Sequence, residues 1–184
     1  SVEEVVRRIK EKLETVVDES RRVVKDLHDK NKEIVEESRK VLRESEKVDE
    51  DVVEEVRRRL GNSEKLREAE KKIEKSTEEN RRLHKKTADE IKESSERLRE
   101  LHERTRREIE KAMERVERVL RKGGSDEELE KLLREIEDLL RKIRKLNKEV
   151  LDRSRKLLED IRRLNKRALE RNRKIAKEIR DEVK

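Results

Sequence analysis

The scarcity of residues that end helices constrains this fold more than any motif, since the chain has three glycines and no proline. Gly61 follows the first third of the 184 residues, and Gly123 and Gly124 follow the second. The segments between them therefore predict long, unbroken helices. Gly61-Asn62-Ser63 and Gly123-Gly124-Ser125 each place a helix-ending residue before a helix-starting one. The predicted helices span 2–60, 63–122 and 126–183.

Two of these helix starts carry the Ser-x-x-Glu spacing, Ser1 with Glu4 and Ser125 with Glu128. In this capping box the serine hydroxyl and the glutamate carboxylate each satisfy a backbone amide that lacks a helical partner. The spacing supports the predicted starts of the first and third helices.

Apolar residues fall on one face of each predicted helix when successive residues are placed about 100° apart. These faces consist of Val2, Val6, Ile9, Leu13, Val16, Val24, Leu27, Ile34, Val41, Val48 and Val52; of Leu66, Ile73, Leu83, Ile91, Leu98, Leu101, Ile109, Val116 and Leu120; and of Leu129, Leu133, Ile136, Leu140, Ile143, Val150, Leu157, Ile161, Leu164, Ile175 and Ile179. Turns this short force neighbouring helices to run antiparallel. We therefore expect an all-α, up-down-up antiparallel three-helix bundle, with one core over 1–184.

Several patterns recur eighteen residues apart. Leu83-His84 returns as Leu101-His102, and Leu146-Asn147 returns as Leu164-Asn165. Because eighteen residues make five turns at about 3.6 residues per turn, this repeat keeps each position in phase along a straight helix. The repeat predicts long, nearly straight helices.

Small polar side chains and two histidines interrupt the apolar faces. They are Ser20, Asn31, Ser38 and Ser45 in the first helix; Ser76, Thr77, Asn80, His84, Thr87, Ser94, Ser95, His102 and Thr105 in the second; and Asn147, Ser154, Asn165 and Asn172 in the third. In an up-down-up bundle, residues at equal height have numbers summing to about 123 between the first two helices and about 247 between the last two. This rule groups the polar residues into four levels.

The four levels bring together residues from all three helices. The first is Ser20, His102, Thr105 and Asn147; the second is Ser38, His84, Thr87 and Asn165; the third is Asn31, Ser94, Ser95 and Ser154; the fourth is Ser45, Ser76, Thr77, Asn80 and Asn172. A buried polar group without a partner costs about 1–3 kcal/mol, so coincident levels predict hydrogen-bond networks between the helices. Such networks specify register and pairing.

At these residues the sequence resembles computationally designed helical bundles with modular buried hydrogen-bond networks. Leu146-Asn147 and Leu164-Asn165 make it similar to the cage of designed latch-and-cage switches, or to heterodimer bundle scaffolds. Matched helix lengths, short Gly-Ser and Gly-Asn turns and an Arg/Glu/Lys surface extend the likeness to the whole chain. The resemblance implies an engineered coiled-coil-like scaffold, expressed recombinantly and without a natural compartment or activity. A fourth or fifth helix and an embedded peptide, which the switch family carries, are not recognisable.

The sequence favours structural roles for its polar residues over catalysis or metal binding. None of His28, His84 and His102 follows a Glu by three residues, and no His pair has the i, i+4 spacing of a zinc helix. No inward carboxylate is predicted to orient a base, and no glycine-rich loop could cradle phosphate. We therefore predict no enzyme activity, no metal and no cofactor. A designed pH switch is the alternative role for the histidines, because protonation converts an acceptor nitrogen to a donor and buries charge.

The net charge of +7 does not by itself predict a nucleic-acid partner. Acidic and basic residues interleave, and no aromatic side chain is present for base stacking, so solvated ion pairs are the better interpretation. The longest uncharged run is 60–63, which excludes a membrane span and a signal-peptide core. We expect a soluble chain that requires no partner.

The chief alternative is an interaction protein, which accepts one further helix or forms a homo- or hetero-oligomer. Apolar residues beside the main faces favour it: Val17, Val35, Leu42, Val53, Leu132, Leu139, Leu151 and Leu169. They widen each apolar face beyond the arc of about 120° that a helix buries in a bundle of only three helices.

Overall fold

Each predicted segment forms one uninterrupted α-helix in the computed structural model, which describes residues 2–184. Helix α1 is Val2–Leu60, α2 is Glu64–Arg121 and α3 is Asp126–Glu182. The predicted boundaries agree with these to within one residue. Ser1, and with it the predicted capping box to Glu4, lies outside the described residues.

The turn between α1 and α2 uses the glycine and the serine that the sequence singles out. Gly61 has a φ of 59°, in the left-handed region that an L side chain rarely adopts. Its N–H donates to the Arg57 carbonyl (2.8 Å), which closes the end of α1. The Ser63 hydroxyl accepts a hydrogen bond from the Leu66 N–H (3.3 Å) and so caps the start of α2.

The turn between α2 and α3 is one residue longer and contains two glycines. Gly123 has a φ of 61°, and the Gly124 N–H donates to the Val119 carbonyl (3.0 Å). A Cβ on Gly124 would lie 2.7 Å from Val119 Cγ1, so a larger residue requires a shift at this helix end. The Ser125 hydroxyl accepts from the Glu128 N–H (3.3 Å), which is one of the two bonds of the predicted capping box.

Contacts between the helices give their directions. Hydrogen bonds between α1 and α3 join residues 125 or 127 apart at several heights, so these helices run parallel. Thr77 of α2 donates to Asp49, whereas Arg57, further along α1, bonds Glu70, earlier in α2. Helix α2 therefore runs against α1. The predicted all-α, up-down-up three-helix bundle is confirmed.

The chain divides into two compact units, and each contains a segment of every helix. Unit 1 is Ser1–Lys30 with Ser94–Arg155, and unit 2 is Asn31–Glu93 with Lys156–Lys184. Both units bury apolar side chains from all three helices. The larger cluster of unit 1 is Val6, Ile9, Leu13, Val16, Ile109, Ala112, Val116, Leu129, Leu132, Ile136, Leu140 and Ile143. Unit 2 contains two clusters, Val52, Val56, Leu66, Ala69, Ile73, Ala176 and Ile179, and the smaller Ile34, Ile91, Leu158 and Ile161.

Four apolar residues do not lie where the sequence places them. Val2, Leu120 and Leu164, predicted in the core, are each more than a third exposed. Val2 and Leu120 stand at helix ends, where neighbouring helices give the least cover, and Leu164 lies at the margin of the α3 face. Leu132, predicted to flank the core, is buried within it.

Candidate functional site: the buried polar levels

The predicted polar residues lie mostly in the interior of the units, where polar atoms need hydrogen-bond partners. Thirteen of the seventeen are buried, and Thr77, His84, Ser95 and His102 are half-buried. The buried ones are Ser20, Asn31, Ser38, Ser45, Ser76, Asn80, Thr87, Ser94, Thr105, Asn147, Ser154, Asn165 and Asn172. They face inward because they fall on the same helical faces as the apolar residues around them.

The first and second levels contain the same hydrogen bond at two heights. In unit 1 the Asn147 side-chain amide donates to the Ser20 hydroxyl at 2.8 Å, and in unit 2 Asn165 donates to Ser38 at 2.8 Å. Both pairs join residues 127 apart. The eighteen-residue repeat therefore reproduces a specific contact between α3 and α1 as well as a pattern of residue types.

Unlike the serines and asparagines, the histidines of these two levels each have a ring nitrogen without a hydrogen bond to residues 2–184. Nδ1 of His102 in unit 1 and Nδ1 of His84 in unit 2 are enclosed, and within the described residues neither has a hydrogen-bond partner. Thr105 and Thr87 are buried on the same helix, one turn from their histidines. His28 is half-buried on α1.

The fourth level, in unit 2, is the most connected, and Asn172 of α3 lies at its centre. The Asn172 oxygen accepts from the Ser76 hydroxyl (2.6 Å) and from the Asn80 amide (3.3 Å), both on α2. Its amide donates to α1, to the Ser45 carbonyl (3.0 Å) and to Asp49 Oδ1 (2.7 Å). One side chain therefore uses both its donors and both its acceptor positions to connect all three helices.

The network extends to solvent through Asn80. Its side-chain oxygen accepts from the Arg171 guanidinium (3.4 Å), which also pairs with Glu79 (3.6 Å). Thr77 donates to the other oxygen of Asp49 (3.3 Å). The fourth level thus ends in charged groups at the unit's surface.

The third predicted level divides between the units: Asn31 belongs to unit 2, and Ser94, Ser95 and Ser154 belong to unit 1. Asn31, Ser94 and Ser154 are buried, and Ser95 is half-buried. Asn31 and Ser95 both take part in interactions.

The prediction that no carboxylate lies on the inner face is wrong, because Asp49 is only 4% exposed. Desolvation raises its pKa, against the hydrogen bonds from Asn172 and Thr77, which lower it. Neither partner carries a charge. The repeat could have revealed this residue, since Asp49 stands eighteen residues after Asn31 and takes its place in the pattern.

A second feature that sequence reasoning missed is a series of ion pairs between α1 and α3. The pairs are Arg144 to Glu19 (3.3 Å) in unit 1, and Arg162 to Glu37 (3.3 Å) and Arg180 to Glu55 (2.7 Å) in unit 2. Every pair joins residues 125 apart, and both partners recur every eighteen residues. The Arg180 hydrogen bond lowers the pKa of Glu55. Since the pairs are largely exposed, they add orientation more than stability.

Within residues 2–184 no three His, Cys, Asp or Glu side chains are grouped to hold a metal ion. The same residues include no helix long and apolar enough to span a bilayer. Asp49 accepts hydrogen bonds from a side-chain amide and a hydroxyl.

Comparisons with known proteins give no significant match to a family profile, a curated protein or a solved structure.

We expect Asp49→Asn to stabilise the protein at neutral pH by about 1–3 kcal/mol. The asparagine can accept from Asn172 and donate to Thr77, so it keeps the network without a buried charge. Because the pKa of Asp49 is raised on folding, its ionisation disfavours the folded state. The stability difference between variant and parent should be smallest below the unfolded aspartate pKa of about 3.9 and should grow as pH rises through the raised folded value.

Chemical denaturation of parent and variant across this pH range measures the difference. Asp51→Asn, on the exposed face of the same helix, is the matched control and should show little change. A parent that is more stable than Asp49→Asn at neutral pH would contradict this account of Asp49.

Proposed function

We propose that this chain is an engineered structural scaffold without natural enzyme activity, in which buried polar levels determine how the helices pair. The observation that carries the proposal is the repeated contact between α3 and α1. Asn147 with Ser20 and Asn165 with Ser38 use the same atoms, at the same distance and the same separation of 127 residues.

The reason lies in what buried polar groups can and cannot contribute. Replacing both partners of a buried hydrogen bond with well-fitting apolar groups is often neutral or stabilising. Apolar faces, however, pack against one another in many registers, whereas a buried amide is satisfied only where its acceptor stands. The polar levels are thus better suited to selecting one arrangement than to adding stability.

An engineered origin is supported by the regularity of the contacts. Hydrogen bonds and ion pairs between α1 and α3 both recur every eighteen residues, which is five turns of an undistorted helix. The turns are short and end in glycine and capping serine, as idealised backbones require.

An apolar variant tests the scaffold proposal: Ser20→Ala and Ser38→Ala combined with Asn147→Leu and Asn165→Leu. We expect it to remain helical and to melt no lower than the parent, yet to populate more than one arrangement. Native mass spectrometry and amide NMR line widths, compared with the parent, detect such a mixture. A variant as uniquely folded as the parent would contradict the proposed role of the levels.

A second candidate function, a protomer or an acceptor for a further helix, is favoured by a groove of about 410 Å³ in unit 2. The groove lies between α1 and α2, and Val53, Ile73 and Thr77 contribute to its lining. The other lining residues are charged: Glu46, Asp49, Glu50, Glu54, Arg57 and Arg81. Light scattering discriminates the candidates, because a stable dimer or trimer supports this one and a compact monomer without exposed apolar surface supports the scaffold. A pH response through His84 and His102 belongs to the same candidate and would appear as a lower melting temperature at pH 5 than at pH 7.5.

A further inference from the structure

A small cavity lies between the second and fourth polar levels of unit 2. Its volume is about 10 Å³, and its polar lining comes from Ser38, Ser45, Asn80, His84 and Asn165. A space of roughly this size accommodates the centre of one water molecule, provided that two to four polar groups surround it. Apolar side chains complete the lining.

Two atoms of the lining residues have unused hydrogen-bonding capacity. Ser45 is 1% exposed, and within residues 2–184 its hydroxyl has no hydrogen-bond partner. Nδ1 of His84 is likewise enclosed without a partner in that part of the chain. Other polar atoms here are already engaged, since Ser38 accepts from Asn165 and Asn80 bonds Asn172.

The equivalent positions of unit 1 differ in the relevant residues. Eighteen residues away, His84 corresponds to His102, but Ser45 corresponds to Leu27 and Asn80 to Leu98. Both leucines are fully buried. The sequence therefore keeps the histidine in both units but supplies the serine and the asparagine at these two positions in unit 2 alone.

We propose that this cavity is a specific site for one ordered water molecule, which bridges the Ser45 hydroxyl and Nδ1 of His84. The water molecule donates one hydrogen bond to Nδ1 and forms a second hydrogen bond with the Ser45 hydroxyl. It thereby connects His84, on α2, to the polar network of α1 and joins the second level to the fourth. Because Nδ1 accepts, the neutral His84 ring carries its proton on Nε2. The site does not depend on whether the chain was engineered.

A crystal structure of the full chain, at a resolution that shows ordered water, tests the proposal directly. We expect a water oxygen roughly 2.7–3.2 Å from both Ser45 Oγ and His84 Nδ1. Nitrogen-15 NMR should report the Nε2–H tautomer for His84. A density map that shows either atom bonded to a protein group, or no water in contact with both, would overturn the proposal.

A pair of matched variants adds a solution test. Ser45→Val replaces the hydroxyl and fills the cavity, so water relaxation dispersion should lose the contribution of one long-lived water molecule. Thr15→Val, which removes an exposed hydroxyl of the same helix, should leave that contribution unchanged. Equal losses or no loss in the two variants would count against the site. If Ser45→Val does not fold, the crystal structure of the parent decides.

Discussion

Asn172→Ala is expected to lower the free energy of unfolding by about 3–5 kcal/mol, a large effect for one uncharged side chain. The substitution removes four hydrogen bonds at once. It leaves Ser76 and Asp49 buried without the partner that α3 supplied. Because Asn172 bonds groups on both α1 and α2, no single neighbouring side chain can move to replace all of its hydrogen bonds.

Asn147→Ala is the matched control, since it deletes the same atoms from a buried asparagine of α3. Asn147 donates a single hydrogen bond between helices, to Ser20, so we expect a loss of only about 1–2 kcal/mol. Urea denaturation of the parent and both variants gives the comparison. Equal losses would mean that the connectivity of Asn172 contributes nothing beyond burial.

Ile161→Ala is expected to cost about 2–5 kcal/mol, the range for removing a large aliphatic side chain from a packed interior. Ile161 is 1% exposed and belongs to the four-residue cluster of unit 2. The other buried members of its cluster are three, Ile34, Ile91 and Leu158, so few apolar neighbours are available to fill the space. The space left by the deleted Ile161 side chain should therefore remain empty in the variant.

Leu164→Ala controls for the loss of an aliphatic side chain at nearly the same height of the same helix. Leu164 is 38% exposed, so the expected loss is within about 0.5 kcal/mol. Thermal denaturation monitored by circular dichroism ranks the two variants against the parent. A loss at Leu164 as large as that at Ile161 would show that the apolar face of α3 is buried more widely than described.

The helices and their ends could be predicted because local chemistry determines them. Gly61 and Gly123 adopt a backbone conformation that other residues avoid, and Ser63 and Ser125 cap the helices that follow. The angular position of a residue on a regular helix also follows from its number. This is why thirteen of the polar residues assigned to the interior are buried.

Periodicity does not determine which atoms bond at a given height. Ser20, His102 and Asn147 share a predicted level, yet the hydrogen bond between helices joins only the serine and the asparagine. Asp49 was missed because a charged residue is ordinarily assigned to the surface, although the repeat places it where Asn31 stands. The Arg–Glu pairs were missed because their partners lie in helices far apart in sequence.

Leu164 illustrates a different limit. An apolar residue at the margin of a helical face is covered only if its neighbours are large enough, and this depends on the distance between the helices. The repeat alone could not distinguish it from Ile161.

The most direct test of this account is a crystal structure that resolves the side-chain amides of α3. We expect the Asn147 and Asn165 amides to lie about 2.8 Å from the Ser20 and Ser38 hydroxyls, and Asn172 to contact both α1 and α2. Asparagines that point into solvent, or that meet serines at any separation other than 127 residues, would contradict the claim that buried polar levels determine how these helices pair.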